Sequence, residues 1–75
     1  MKYYAFSMET TNETDGFQDV VEFDENVSDS DIDKYFLEWQ NEKNNDLTED
    51  ESVVGVSKVE IPKKDALMLG VDITY

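Results

Sequence analysis

The chain has 75 residues and carries 19 Asp and Glu against six Lys, with no Arg and no His, so its formal net charge at pH 7 is −13. It has no Cys, which excludes disulfides and thiolate chemistry, and the lack of His removes the usual base and metal ligand near neutral pH. Without Arg, and with so much negative charge, direct binding to nucleic acid or to an anionic membrane is disfavoured.

The length allows one domain, spanning residues 1–75, with a small core, because a chain this short buries only about 60% of its extended surface on folding. A hydrophobic content of 39%, including 12% aromatic residues, favours a folded domain over disorder. No 18-residue apolar run or signal-peptide pattern occurs, which predicts a cytoplasmic protein. No nucleophile motif, Gly-rich phosphate loop or metal signature occurs either, so we expect no enzymatic activity, no cofactor and no bound metal.

Two strands are predicted near the N-terminal end of the chain. Residues 2–10 alternate between two faces, as a half-buried strand does. Residues 17–25 place apolar side chains on one face, with Asp19 as the exception to that pattern. The segment between them, TNETDG, has the composition of a turn with its reversal at Asp15-Gly16, so the two strands are predicted to form a hairpin.

The stretch from Val27 to Lys43 carries the helix signals of the sequence. Ser28 is suited to be the N-cap, with Asp31 at the third helical position as in a capping box. Val27 and Ile32 are spaced to pack as a hydrophobic staple. An apolar stripe at helical spacing then predicts one face that must be covered by the core, formed by Ile32, Tyr35, Phe36 and Trp39.

Residues 44–61 are predicted to form a loop and a strand, and the residues that follow have two interpretations. Residues 44–52 are polar and acidic, and residues 53–61 are rich in β-branched residues up to Pro62, which cannot donate to a sheet. Residues 62–65 have turn chemistry, and the alternation that follows to Tyr75 predicts a second hairpin. Alternatively, Pro62 begins a short helix closed by Gly70, and only residues 71–75 are extended.

Strand, strand, helix, strand, strand is therefore the predicted order of an α+β domain, in which one helix lies across one face of an antiparallel sheet. The opposite face is expected to stay uncovered. On that basis Tyr3 and Tyr75, near the two chain ends, are expected to be exposed and suited to contacts.

The negative charge is regional. Residues 9–51 contain 16 acids and two Lys, a sum of −14, whereas the other residues contain three acids and four Lys, a sum of +1. Carboxylates two apart on a strand or four apart on a helix are spaced about 5 to 7 Å apart, a scale similar to that of phosphates along a DNA strand. The predicted partner-binding residues are twelve of these 16 acids: Asp19, Glu22, Asp24, Glu25, Asp29, Asp31, Asp33, Glu38, Glu42, Glu49, Asp50 and Glu51.

The stretch VEFDENVSDSDIDKYFLEW, an acidic strand leading through a Ser cap into an acidic helix, resembles short proteins encoded in bacteriophage genomes. In size and charge the chain is similar to phage-type DNA mimics that block restriction enzymes, CRISPR nucleases or uracil-DNA glycosylase. Glu51-Ser52-Val53 also resembles the Glu-Ser-Ile element of the glycosylase inhibitors. The resemblance implies a small anti-defence inhibitor that acts in the host cell cytoplasm.

The predicted function is therefore inhibition of a basic, nucleic-acid-binding host protein through a surface that imitates DNA phosphates. The alternative is a regulatory or assembly module that binds its partner through an edge strand or a sheet face. Either a monomer or a homodimer is compatible with the sequence, although like charge opposes pairing of two acidic surfaces.

Overall fold

A computed structural model describes residues 1–11 and 16–75. The first strand and the third strand occupy the predicted ranges, and the helix ends two residues later than predicted. The predicted reversal at Asp15-Gly16 falls partly on Asp15, which lies outside the described residues. The elements in chain order are β1 (Lys2–Thr10), β2 (Phe17–Phe23), α1 (Asp29–Asn45), β3 (Val53–Ile61), α2 (Lys63–Leu69) and β4 (Ile73–Thr74).

Within the described residues, four strands form one sheet in the order β3-β1-β2-β4. β1 lies between β2 and β3 and pairs antiparallel with both, which confirms the N-terminal hairpin. In this register Tyr4 lies opposite Val21 on one side and opposite Glu60 on the other. β3 is one edge of the sheet, and the register with β1 shifts between Glu9 and Thr10 near its start.

The main core lies between α1 and one face of the sheet, here called the α1 face. Phe6 is fully buried at its centre, and its ring contacts those of Tyr35, Phe36 and Trp39 with centroids 4.7 to 6.2 Å apart. The predicted apolar helix stripe therefore does face the sheet. Edge-to-face and tilted aromatic pairs of this kind add to the stabilisation from burial alone.

The helix α1 begins as its local sequence indicates. Ser28 is in an extended conformation, and its Oγ accepts a hydrogen bond from the Asp31 N–H at 3.2 Å. Val27 packs against the core cluster that contains Ile32, as expected for a hydrophobic staple. Carboxylates in the first turn and Lys43 in the last turn complement the helix dipole.

The α+β class is confirmed, but the predicted second hairpin is wrong and the sheet is mixed. After β3 the chain forms α2, closed by Gly70 with a positive φ of 88°, as in the alternative interpretation. β4 then pairs parallel with β2 at the far edge, where Val21 lies opposite Ile73. Since β3 and β4 run parallel, they need a long crossover connection, and α2 supplies it.

The crossover helix α2 packs on the sheet face opposite α1, here called the α2 face. Ala66 is fully buried there against Tyr3 and Val20. The expectation that Tyr3 is exposed is therefore wrong, whereas Tyr75 is exposed as expected. The Asp72 Oδ2 accepts a hydrogen bond from the Val20 N–H at 2.8 Å, which fixes the end of the crossover to β2.

Candidate acidic interface

Five of the predicted partner-binding acids lie on α1, and all five are exposed. Since Ile32 and Trp39 mark the inward side of the helix, a rotation of about 100° per residue places the acids on two flanks. The outermost ridge between the flanks carries Lys34 and Leu37. One flank bears Asp31, Glu38 and Glu42; the other bears Asp29 and Asp33.

Exposed acids also precede and follow the helix. Asp24 and Glu25 lie between β2 and α1, and Glu49 and Asp50 lie between α1 and β3. The Glu25 carboxylate accepts a hydrogen bond from the N-terminal ammonium group of Met1 at 2.8 Å, which lowers the Glu25 pKa. These four residues and the five acids of α1 form what we call the acidic surface, a set of nine exposed carboxylates.

Lysine side chains neutralise only part of this charge. Lys58, on β3, is paired with Asp33 at the edge of the α1 face. Lys43 turns back towards β2, where its Nζ lies 5.7 Å from the centroid of the Phe17 ring. Within the described residues, no lysine Nζ lies within 4.0 Å of the carboxylates of Asp31, Glu38 or Glu42, so this flank of the helix has no salt bridge.

Asp19, although predicted as a partner-binding residue, points into the α1 face. Its Oδ2 accepts a hydrogen bond from Trp39 Nε1 at 2.8 Å and lies 3.6 Å from Lys43 Nζ. The Trp39 side chain is 2% exposed, so its N–H has to find an acceptor inside the protein. Asp19 thus attaches α1 to β2, which explains why it interrupts the apolar pattern of its strand.

Glu22 and Glu51 are half-buried and are not counted in the acidic surface. Glu22 points to the α2 face, where it is half-buried beside Tyr3. Burial, then a hydrogen bond to Glu22, and then the charge of Glu22 raise the Tyr3 pKa. The Glu51 Oε1 accepts hydrogen bonds from the backbone N–H and the hydroxyl of Thr48, at 3.4 and 3.0 Å, and so closes a local turn.

Tyr35 and Tyr75 mark the border between the acidic flank and β4. Their ring centroids are 4.7 Å apart, and both rings also contact Phe23. Burial raises the Tyr35 pKa, and the nearby charges of Glu42, Asp19 and Glu38 raise it further. An aromatic pair beside carboxylates gives this edge of the interface a specific shape as well as charge.

Sequence reasoning missed an exposed apolar surface on the opposite side of the sheet. Met68 and Leu69 of α2 are 78% and 63% exposed, and with Ile61 and Asp65 they line a surface depression of about 250 Å³. Val59, on the same face of β3, is 54% exposed. The alternation of residues 67–75 predicted a strand, so this surface of α2 was not expected. The helix-forming composition of residues 63–69 was the signal that could have indicated it.

Neither chemistry nor similarity to known proteins adds a further assignment. Within residues 1–11 and 16–75, no group of three or more acidic side chains is arranged to hold a metal ion. No helix in the described part of the chain is long and apolar enough to span a membrane. Comparison of the chain with protein-family models, with curated proteins and with solved structures finds no match.

Proposed function

We propose that the protein is an inhibitor that binds a basic, nucleic-acid-binding protein through the acidic surface and so occupies the groove used by DNA or RNA. The observation that carries the proposal is the set of nine exposed carboxylates of the acidic surface, on α1 and in its flanking loops. A groove that neutralises phosphates attracts such a surface through the same Coulomb interaction, and this interaction supplies most nonspecific affinity for DNA.

The length of α1 and the spacing of its carboxylates support this proposal. Its 17 residues span about 25 Å. On the flank that bears Asp31, Glu38 and Glu42, Asp31 lies about 10 Å from Glu38 along the helix axis, and Glu38 lies about 6 Å from Glu42. Because Ser28 and the aromatic core hold the helix in place, the five carboxylates on α1 are presented without the entropy cost of ordering a loop.

The test compares two charge reversals of equal size. Glu38→Lys with Glu42→Lys changes the acidic surface, whereas Glu9→Lys with Asp65→Lys changes exposed acids on the other side of the sheet. Both double variants change the net charge from −13 by the same amount. We expect the first pair to weaken target binding at least about tenfold and the second pair to weaken it far less, because only close charge pairs contribute more than about 1.4 kcal/mol each.

The target is first captured from a bacterial lysate with the tagged protein, eluted by salt, and then tested for displacement by duplex DNA. DNA displacement and loss of binding by the Glu38 and Glu42 variant are both required. Equal binding by the two double variants would refute the acidic surface as the binding site, and a target that ignores both DNA and salt would refute mimicry.

A further inference from the structure

We propose that β3 is a self-association edge, at which a second copy of the chain adds its own β3 antiparallel and extends the sheet to eight strands. In the described part of the chain, β3 has one strand neighbour, β1. Its nine residues include four Val, all of them exposed. A strand at a sheet edge presents a row of unpaired backbone N–H and C=O groups, to which another strand can pair.

The distribution of charge makes this edge the part of the surface that a second copy can approach with least repulsion. Every copy brings a net charge of −13, so two copies can approach only where the surface is close to neutral. The β3, α2 and β4 segment, residues 52–75, is neutral in sum because it has three basic and three acidic residues: Lys58, Lys63 and Lys64 against Glu60, Asp65 and Asp72. The acidic surface, by contrast, lies on α1 and its flanking loops.

Among the registers centred on residues 57 to 60, the sequence of β3 favours one. With Val59 opposite Val59 of the second copy, Lys58 lies opposite Glu60 and Glu60 lies opposite Lys58, so opposite charges meet twice. Centring the pair on Lys58 or on Glu60 would instead place like charges opposite each other, which is destabilising. Centring it on Ser57 would place Lys58 opposite Val56, with no charge partner across the strands.

The same register joins the apolar surfaces of the two copies. Val59 and Ile61 point to the α2 face, so the two Val59 side chains meet at the two-fold axis. The depression lined by Ile61, Met68 and Leu69 lies beside this contact in each copy. The exposed side chains that no other element covers would thus be buried together, which removes apolar surface from water.

Pairing of this kind keeps both copies of α1 on the same side of the extended sheet. Each α1 packs over β1 and β2 of its own copy, so four strand spacings of about 4.8 Å separate the two helices, which lie about 19 Å apart. The inference does not rest on the inhibitor function. If both hold, the dimer presents two acidic surfaces to one target.

The register is tested by cross-linking, because the chain has no Cys of its own. Residues opposite each other in an antiparallel pair have Cα atoms about 4.5 to 5.5 Å apart, within the range of a disulfide. We expect Val59→Cys to form a covalent dimer under mild oxidation. Ser57→Cys, on the same face, would be about 13 Å from its counterpart and should not form one.

Leu37→Cys, exposed on α1, reports cross-linking by random collision. Cross-linking of Val59→Cys no faster than that of Leu37→Cys overturns the proposal, as does preferential cross-linking of Ser57→Cys. Sedimentation equilibrium provides the second test, in which the wild type should reach twice the 8.7 kDa mass of one chain.

Val59→Lys should make the protein monomeric by placing two ammonium groups at the axis, while Val54→Lys, outside the paired segment, should leave the dimer intact. Trp39 fluorescence checks that both variants are folded. A wild-type chain that stays monomeric up to about 1 mM overturns self-pairing and leaves the edge to a strand of another protein. Raising salt from about 0.02 to about 0.5 M should strengthen the dimer, because it screens repulsion between the copies.

Discussion

Replacing Asp19 by Ala should destabilise the fold even though it removes one negative charge from a strongly acidic protein. The substitution deprives the buried Trp39 N–H of its acceptor, which lies 2.8 Å away in the native protein. Leaving a buried donor unsatisfied costs about 1 to 3 kcal/mol. The Lys43 ion pair adds little, because both side chains are about 20% exposed and partly exposed pairs contribute at most about 1 kcal/mol.

We therefore expect Asp19→Ala to lower the free energy of unfolding by about 2 kcal/mol, which corresponds to a fall in Tm of about 8 to 16 °C for a domain of this size. Asp19→Asn keeps an oxygen that can accept from Trp39, so its cost should be smaller. The control is Glu38→Gln, which removes an exposed charge from α1 and should change stability by no more than about 0.5 kcal/mol.

Urea unfolding followed by the fluorescence of the single Trp measures all three variants. If Asp19→Ala is as stable as Glu38→Gln, Asp19 is one more surface acid and the predicted loss of stability is wrong. If Asp19→Asn is as unstable as Asp19→Ala, the hydrogen bond from Trp39 is not the interaction that stabilises the fold here.

Two further predictions concern backbone space and pH. Gly16→Ala should destabilise the protein, because a Cβ at this position would lie 2.7 Å from the Met8 carbonyl oxygen. A Cβ at Gly55 meets nothing within 4 Å, so Gly55→Ala should be neutral or stabilising by up to about 1 kcal/mol. Equal urea midpoints for the two variants would contradict this prediction. The free energy of unfolding should also fall at alkaline pH, because the pKa of Tyr35 is raised in the folded protein. The stabilisation that this raised pKa provides is complete below the unfolded-state pKa of about 10 and is lost as the pH rises through the folded-state pKa. Tyr35→Phe should weaken this pH dependence. If the free energy of unfolding falls equally in the two proteins from neutral to alkaline pH, the prediction is wrong.

Local signals in the sequence predicted the elements with short-range causes. The Ser28 cap acts on its own first turn, the alternation of β1 follows from the two-residue period of a strand, and the β-branched residues of β3 favour a strand. The apolar stripe of α1 likewise indicated which side of the helix the sheet would cover. These features depend on neighbours within a few residues, so they can be read from the chain directly.

The concentration of acids on α1 could also be predicted, since it is a property of composition and helical spacing. The role of Asp19, which lies outside the acidic surface and accepts a hydrogen bond from Trp39, could not be predicted. Whether a carboxylate near an apolar strand faces solvent or accepts a hydrogen bond depends on what lies across from it. Trp39 is 20 residues away from Asp19, and only the packing of α1 brings the two together.

The end of the chain was decided by tertiary structure as well. Alternating Leu, Val and Ile fit a strand, while the same residues suit a short helix after Pro62, so local preference favoured neither strongly. Burial of Ala66 against Tyr3 and Val20, together with the pairing of Ile73 beside Val21, selects the helix and the parallel strand. Local order is thus determined by the sequence itself, whereas long-range pairing depends on which distant surfaces the fold brings into contact.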